Sequence, residues 1–79
     1  MSERFTSPEY LVADAIGHYG VLHIALPAFP QFADQMQKHV DTIRKYANPE
    51  SLTEIAKANG QNTEAEWFIR LQEHAFNER

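Results

Sequence analysis

The apolar residues of the chain recur every three or four positions over most of its length, which is the spacing of an amphipathic helix. The first such stripe runs from Val12 to Leu26 and predicts a helix over residues 8–26. Ser7 and Pro8 form a suitable start, because a serine hydroxyl can cap the first turn and proline fits the first helical position. The sequence therefore places a long helix near its beginning.

Two glycines weaken this prediction, because each costs about 1 kcal/mol relative to alanine inside a helix. They are Gly17 and Gly20. In the alternative interpretation the helix ends early and residues 21–26 form a short strand, giving an α+β fold. We favour the helix, since a lone strand would have no partner elsewhere in the chain.

The clearest amphipathic stripe follows a turn at residues 27–30, where two prolines interrupt the backbone hydrogen bonding. Polar side chains occupy the opposite face of this second helix. The dipeptide Asn48-Pro49 predicts where the helix ends. The apolar members of the stripe are Phe32, Met36, Val40 and Ile43.

A shorter helix is predicted over residues 50–58, and Gly60 suits the left-handed position that terminates a helix. The last helix is predicted to start near Asn62 or Thr63. Thr63 and Glu66 have the spacing of a capping box, in which a hydroxyl and a carboxylate three positions apart satisfy backbone N–H groups. These segments predict an all-α bundle of about four helices with short connections.

With 79 residues, the chain is expected to form one domain, residues 1–79. It contains no cysteine, which excludes disulfides and thiolate metal sites. No apolar run is long enough for a membrane span, and the first ten residues do not resemble a signal peptide. We therefore expect a cytoplasmic protein that does not enter membranes.

The stretch from Ser51 to Leu71 has the outline of a helix-turn-helix, so a DNA-binding transcriptional regulator is the alternative function. Its second helix would present Glu64 and Glu66 before any cation, and the whole chain has 11 acidic and 7 basic residues. Phosphate contacts require Lys or Arg, so binding to nucleic acid is the weaker hypothesis.

Catalytic and metal-binding patterns are weak. The chain offers no cysteine nucleophile and no glycine-rich phosphate loop. Asp14 and His18 are four residues apart and can share a helix face, but this spacing alone is common. We therefore expect no enzymatic activity, no cofactor and no metal.

Several aromatic side chains exceed what a small bundle needs for its core. They either close the core where the two ends of the chain pack together or anchor a protein interface, as aromatic residues often do. The sequence thus predicts a non-enzymatic protein-binding module that acts as an inhibitor, adaptor or regulator, and its size and charge are typical of phage or mobile-element proteins. The expected partner is a protein with a basic surface, and a homodimer is also expected to form through the aromatic face. The predicted binding residues are Tyr10, Trp67 and Phe76 as anchors and Glu64, Glu66 and Glu73 as an acidic rim.

Overall fold

The computed structural model describes residues 7–77, and in this range the chain folds into four α-helices without strands. A short 3₁₀ turn, Pro30–Phe32, precedes the second helix, and a π-helical turn, Glu73–Asn77, follows the last one. The predicted all-α bundle is confirmed. The helices are α1 (Pro8–Ala25), α2 (Ala33–Tyr46), α3 (Pro49–Ala58) and α4 (Glu66–Gln72).

Helix α1 begins where the sequence predicts. The hydroxyl of Ser7 accepts a hydrogen bond from the Tyr10 N–H at 3.2 Å, which satisfies one of the free donors of the first turn. The helix continues through both internal glycines, and the Leu26 N–H still donates to the Leu22 carbonyl at 2.8 Å. The alternative of a strand over residues 21–26 is therefore wrong.

The junction between α2 and α3 is fixed by a capping box. The Asn48 side chain accepts from the Ser51 N–H at 2.8 Å, and the Ser51 hydroxyl accepts from the Asn48 N–H at 2.9 Å. Pro49 occupies the first turn of α3, where no intrahelical donor is needed. Two helices thus meet through a two-residue connection with its backbone donors satisfied.

The start of α4 differs from the prediction. The Asn62 side chain accepts a hydrogen bond from the Glu64 N–H at 2.9 Å, and the Ala65 N–H donates to the Asn62 carbonyl. This local turn competes with the helix, as Asn side chains commonly do. The helix therefore begins at Glu66, and the predicted start at Asn62 or Thr63 with a Thr63–Glu66 capping box is wrong.

The core lies between α1 and α2, whose contact is the most extensive among the described elements. Helices α3 and α4 also pack against α1. Gly60, with φ of 76°, turns the chain between α3 and α4 as predicted. None of the described helices is long and apolar enough to cross a membrane. The largest fully buried side chains are Val12, Ile16, Val40, Ile43, Leu52, Phe68 and Leu71.

Candidate functional site

Helix α1 is apolar around most of its circumference. One face enters the core and includes Val12, Ile16 and Tyr19. A helix that is apolar on all sides is normally buried on all sides. Here the other helices cover only part of α1, so a second apolar face remains at the surface.

This second face follows the spacing of a helix-packing seam, with successive intervals of three, four, four and three residues. Three of its side chains are substantially exposed, with exposed fractions of 42% for Tyr10, 67% for Val21 and 77% for Ile24. Scattered exposed apolar residues are ordinary, but a contiguous stripe is typical of an interaction surface. The face consists of Tyr10, Ala13, Gly17, Val21 and Ile24.

Three surface depressions lie in a row along this face. Together they form a groove, which we call the α1 groove, and the exposed face of α1 is one of its walls. The first depression, of about 460 Å³, lies between the start of α1 and helix α3. Its apolar lining includes Tyr10 and Ala13 from α1 and Ile55 and Ala58 from α3. The two helices thus form a trough at this end.

The second depression, of about 370 Å³, shares Ala13 with the first, and it continues past Gly17 to Val21. The third, of about 290 Å³, shares Gly17 and Val21 with the second and ends at Ile24 and Trp67. From Tyr10 to Ile24 the groove extends about 21 Å, given a rise of 1.5 Å per helical residue. The groove is therefore about four helical turns long.

The groove is acidic at its first end. Glu9 and Glu54 line the first depression and also a neighbouring one that reaches Tyr46, while Asp14 lines the second. None of the described residues that line these four depressions is Lys or Arg. Among the described residues, the groove thus combines an apolar floor with carboxylates and lacks Lys and Arg.

The two glycines of α1 have different surroundings. A Cβ placed on Gly20 would lie 3.5 Å from ring carbons of Trp67, so the indole covers this position. A Cβ placed on Gly17 would meet nothing within 4 Å. At position 20 a Cβ would therefore make ordinary van der Waals contact with the indole, whereas at position 17 the packing of the described residues does not require a small side chain.

The outer edge of the groove is formed by His18. Its Nδ1 lies 2.8 Å from the Asp14 carbonyl oxygen and 3.4 Å from the Asp14 carboxylate. Its ring stacks on His39 of α2, with 4.7 Å between centroids and 9° between planes. Burial lowers the pKa of His39, and the neighbouring His18 lowers it further, while Asp14 acts in the opposite direction. The stack thus joins α1 to α2.

Two of the residues predicted to bind a partner lie on the α1 groove, at its two ends. Tyr10 lines the acidic end, and Trp67 lines the far end against Gly20. Their role as anchors stays a prediction, but the structure places them on one continuous surface.

The other four predicted residues lie away from the described lining of the groove. Glu64 is exposed in the turn before α4, and Glu66 pairs with Arg70 at 3.5 Å. Glu73 is exposed on the π-helical turn, and Phe76 packs partly buried against the core. Their assignment to an interface also stays a prediction.

Sequence reasoning did not select the central residues of the groove. Gly17 counts against a helix in the sequence, and Val21 and Ile24 enter the sequence prediction only as part of the alternative strand over residues 21–26. The available signal was the distribution of apolar residues on both faces of α1. The carboxylates of Glu9 and Glu54 gave no signal, since tertiary contact alone brings these residues together.

The described residues contain no group of three or more His, Asp or Glu side chains that could hold a metal ion. Comparison with protein-family models, with curated proteins and with solved structures gives no match to this chain. The α1 groove is therefore the feature of the described residues from which a function can be inferred.

Proposed function

We propose that the protein is a non-enzymatic protein-binding module that acts through the α1 groove as an inhibitor, adaptor or regulator of another protein. The observation that carries this proposal is the exposed apolar face of α1, which lies directly opposite the face that forms the core. Exposed fractions of 67% for Val21 and 77% for Ile24 leave both side chains largely in water. A partner that covers them would remove apolar surface from water, which is the main driving force of association.

The form of the groove supports a macromolecular partner over a small molecule. Small-molecule sites are concave and enclose most of the ligand. The α1 groove is instead a series of open depressions along about 21 Å of helix. An extended shape of this kind suits a segment of another protein.

The polar groups at the acidic end support a non-enzymatic role. The hydroxyls of Ser7 and Ser51 each accept a hydrogen bond from a backbone N–H group at the start of a helix. Glu9 and Glu54 lie in open depressions at the surface. A general acid or base normally works in a site that excludes water and shifts its pKa.

The alternative of a DNA-binding regulator has less support. A helix-turn-helix joins its helices by a turn of three or four residues. Here the connection between α3 and α4 runs from Asn59 to Ala65, and α4 begins with the exposed carboxylate of Glu66. These features are unfavourable for insertion of α4 next to phosphates.

A photo-crosslinking experiment tests the proposed function. A benzophenone amino acid is introduced at Ile24, in the groove, or at Gln35, which is exposed on α2. After irradiation in the native cells, crosslinked products are separated by mass and identified by mass spectrometry. We expect Ile24 to give discrete products that Gln35 does not give.

A second variant shows whether such products depend on the groove. Gly17→Leu fills the open space beside the Ile24 probe, and it should abolish the specific products while the protein remains folded by circular dichroism. Equal products from Ile24 and Gln35, or no products from Ile24, would contradict the proposal.

A further inference from the structure

We propose that the occupant of the α1 groove is an amphipathic helix of a partner protein, with Lys or Arg beside its apolar stripe and close contact at Gly17. This inference depends on the proposed function, because it names the partner of the same groove.

The first basis of the inference is the length of the groove. A helix that lies along α1 from Tyr10 to Ile24 would contact it over about 21 Å, or four turns.

The second basis is spacing. The exposed face of α1 repeats at intervals of three and four residues, which is the pattern by which two helices interlock side by side. Bulkier side chains, Tyr10 and Ile24, lie at the ends of this face, and the small residues Ala13 and Gly17 lie between them. A second helix can therefore approach most closely near the middle and contact larger side chains at either end.

Gly17 supports close approach independently. A glycine inside a helix costs about 1 kcal/mol of stability relative to alanine. The space beside Gly17 is open, so an alanine would fit the described fold without a clash. A partner backbone that passes over this position would use that space, since small residues let helices approach closely.

Charge determines the kind of helix. The carboxylates of Glu9, Asp14 and Glu54 line the groove, and no Lys or Arg is among its described lining residues. Basic side chains that flank the partner's apolar stripe would pair with these carboxylates and speed association. Complementarity of this kind places the partner's cations toward the end formed by Glu9 and Glu54.

The same charges disfavour a second copy of this chain as the occupant. Two grooves placed face to face would bring carboxylates together without a cation from either lining. The net charge of each chain is −4, which adds repulsion at low ionic strength. A basic partner avoids both the apposed carboxylates and the repulsion between two negatively charged chains.

Synthetic peptides test this inference directly. The first peptide is a helix of about 18 residues, long enough to cover the groove, with Leu and Ala at alternating intervals of three and four and Lys on the flanks. The second has Glu in place of every Lys, and the third has the composition of the first in scrambled order. Trp67 lies in the groove and is the only tryptophan of the chain, so its emission reports binding of these tryptophan-free peptides.

We expect the basic peptide to bind and the acidic and scrambled peptides to fail. Glu9→Gln combined with Glu54→Gln should weaken the basic peptide by about three- to tenfold at low salt, as exposed ion pairs do. Asp34→Asn combined with Glu50→Gln removes two exposed carboxylates outside the described lining, and it should leave affinity unchanged.

Position 17 provides the steric test. Affinity should fall in the order Gly17, Gly17→Ala and Gly17→Leu, with a loss of at least about tenfold for leucine because the contact becomes overpacked. Melting temperatures measured on the same samples separate this effect from unfolding. A Gly17→Leu protein that binds the basic peptide like the wild type would overturn the close contact.

The remaining outcomes separate this inference from the proposed function. If basic and acidic peptides bind equally and Gly17→Leu abolishes both, the charge preference is wrong but the groove still binds protein. If no peptide binds while crosslinks from Ile24 persist, the occupant is not such a helix. A dimer in sedimentation that is lost in Gly17→Leu would identify a second copy as the occupant. Absence of specific crosslinks from Ile24 would contradict the proposed function itself, and absence of peptide binding beside it would remove this inference as well.

Discussion

Arg44 Nε donates a hydrogen bond of 2.8 Å to the backbone carbonyl of Ala75, 31 positions further along the chain. The same guanidinium donates through Nη2 to the His74 carbonyl at 3.0 Å. Carbonyl groups at a helix end lack intrahelical partners, and a cation there also interacts favourably with the helix dipole. One side chain of α2 thus secures the end of the last helical segment.

Arg44→Ala should lower the free energy of unfolding by about 1–2 kcal/mol, because two charge-assisted bonds are lost, a part-buried one to the Ala75 carbonyl and an exposed one to the His74 carbonyl. Urea denaturation followed by circular dichroism measures this change. Lys38→Ala is the matched control, since it removes an exposed cation of the same helix and should change stability by less than about 0.5 kcal/mol. Equal effects of the two substitutions would show that the guanidinium contacts contribute nothing.

Substitution of alanine for glycine should have opposite signs at two positions. Gly17→Ala should raise the free energy of unfolding by up to about 1 kcal/mol, because a helical backbone with open space favours alanine. Gly60→Ala should lower it by about 1–2 kcal/mol, because φ of 76° is a left-handed conformation that Cβ disfavours. Thermal and urea unfolding of both variants check the signs, and a loss of stability in Gly17→Ala would show that position 17 is constrained within the fold.

The stacked pair of His18 and His39 predicts a pH dependence. Because the folded state lowers the pKa of His39 below its ordinary value of 6.5, the unfolded chain takes up a proton more readily. The contribution to stability is therefore fully present above pH 6.5 and is lost as pH falls through the lower pKa of the folded state. Unfolding free energies measured from pH 8 to pH 5 should decline in this window.

His39→Gln removes the titrating ring from this contact and is expected to flatten the decline between pH 6.5 and pH 5. The groups that face the ring are His18 and Asp14, which lie together on α1. Asp14→Asn should steepen the decline, because the carboxylate favours the protonated imidazole. A wild-type slope retained in His39→Gln would assign the pH dependence to other groups.

Two neighbouring residues of α4 should differ sharply on truncation. Phe68 is fully buried in the core, whereas Ile69 is 44% exposed. Phe68→Ala should cost about 3–5 kcal/mol, which combines lost burial with the cavity that remains. Ile69→Ala should cost less than about 1 kcal/mol, since much of its surface already contacts water. Chemical denaturation of the two variants measures the difference, and similar costs would contradict the orientation of α4.

The sequence predicted the helices well where local chemistry and periodicity agree. Ser7 and Pro8 start α1 through a hydroxyl cap, and the Asn48-Pro49 step ends one helix and begins another. The start of α4 was wrong because Asn62 forms its own turn with the Glu64 N–H. Competition between a side-chain turn and a helical cap depends on small energies that composition alone does not reveal.

The groove could be predicted only in part, for a different reason. Apolar residues on both faces of α1 are visible in the sequence, but the sequence does not say which face the other helices cover. The approach of Glu54 to Glu9 and the cover of Trp67 over Gly20 arise from tertiary packing. Local patterns thus predict the elements, and long-range contact determines which surface remains available.

The two apolar faces of α1 also impose an order on biosynthesis. This helix leaves the ribosome before α2, α3 and α4, so both of its apolar faces are exposed on the nascent chain until those helices follow. Completion of the fold covers one face and leaves the other exposed. Folding therefore removes only part of the apolar surface of α1 from water, and the exposed part stays available for association after the fold is complete.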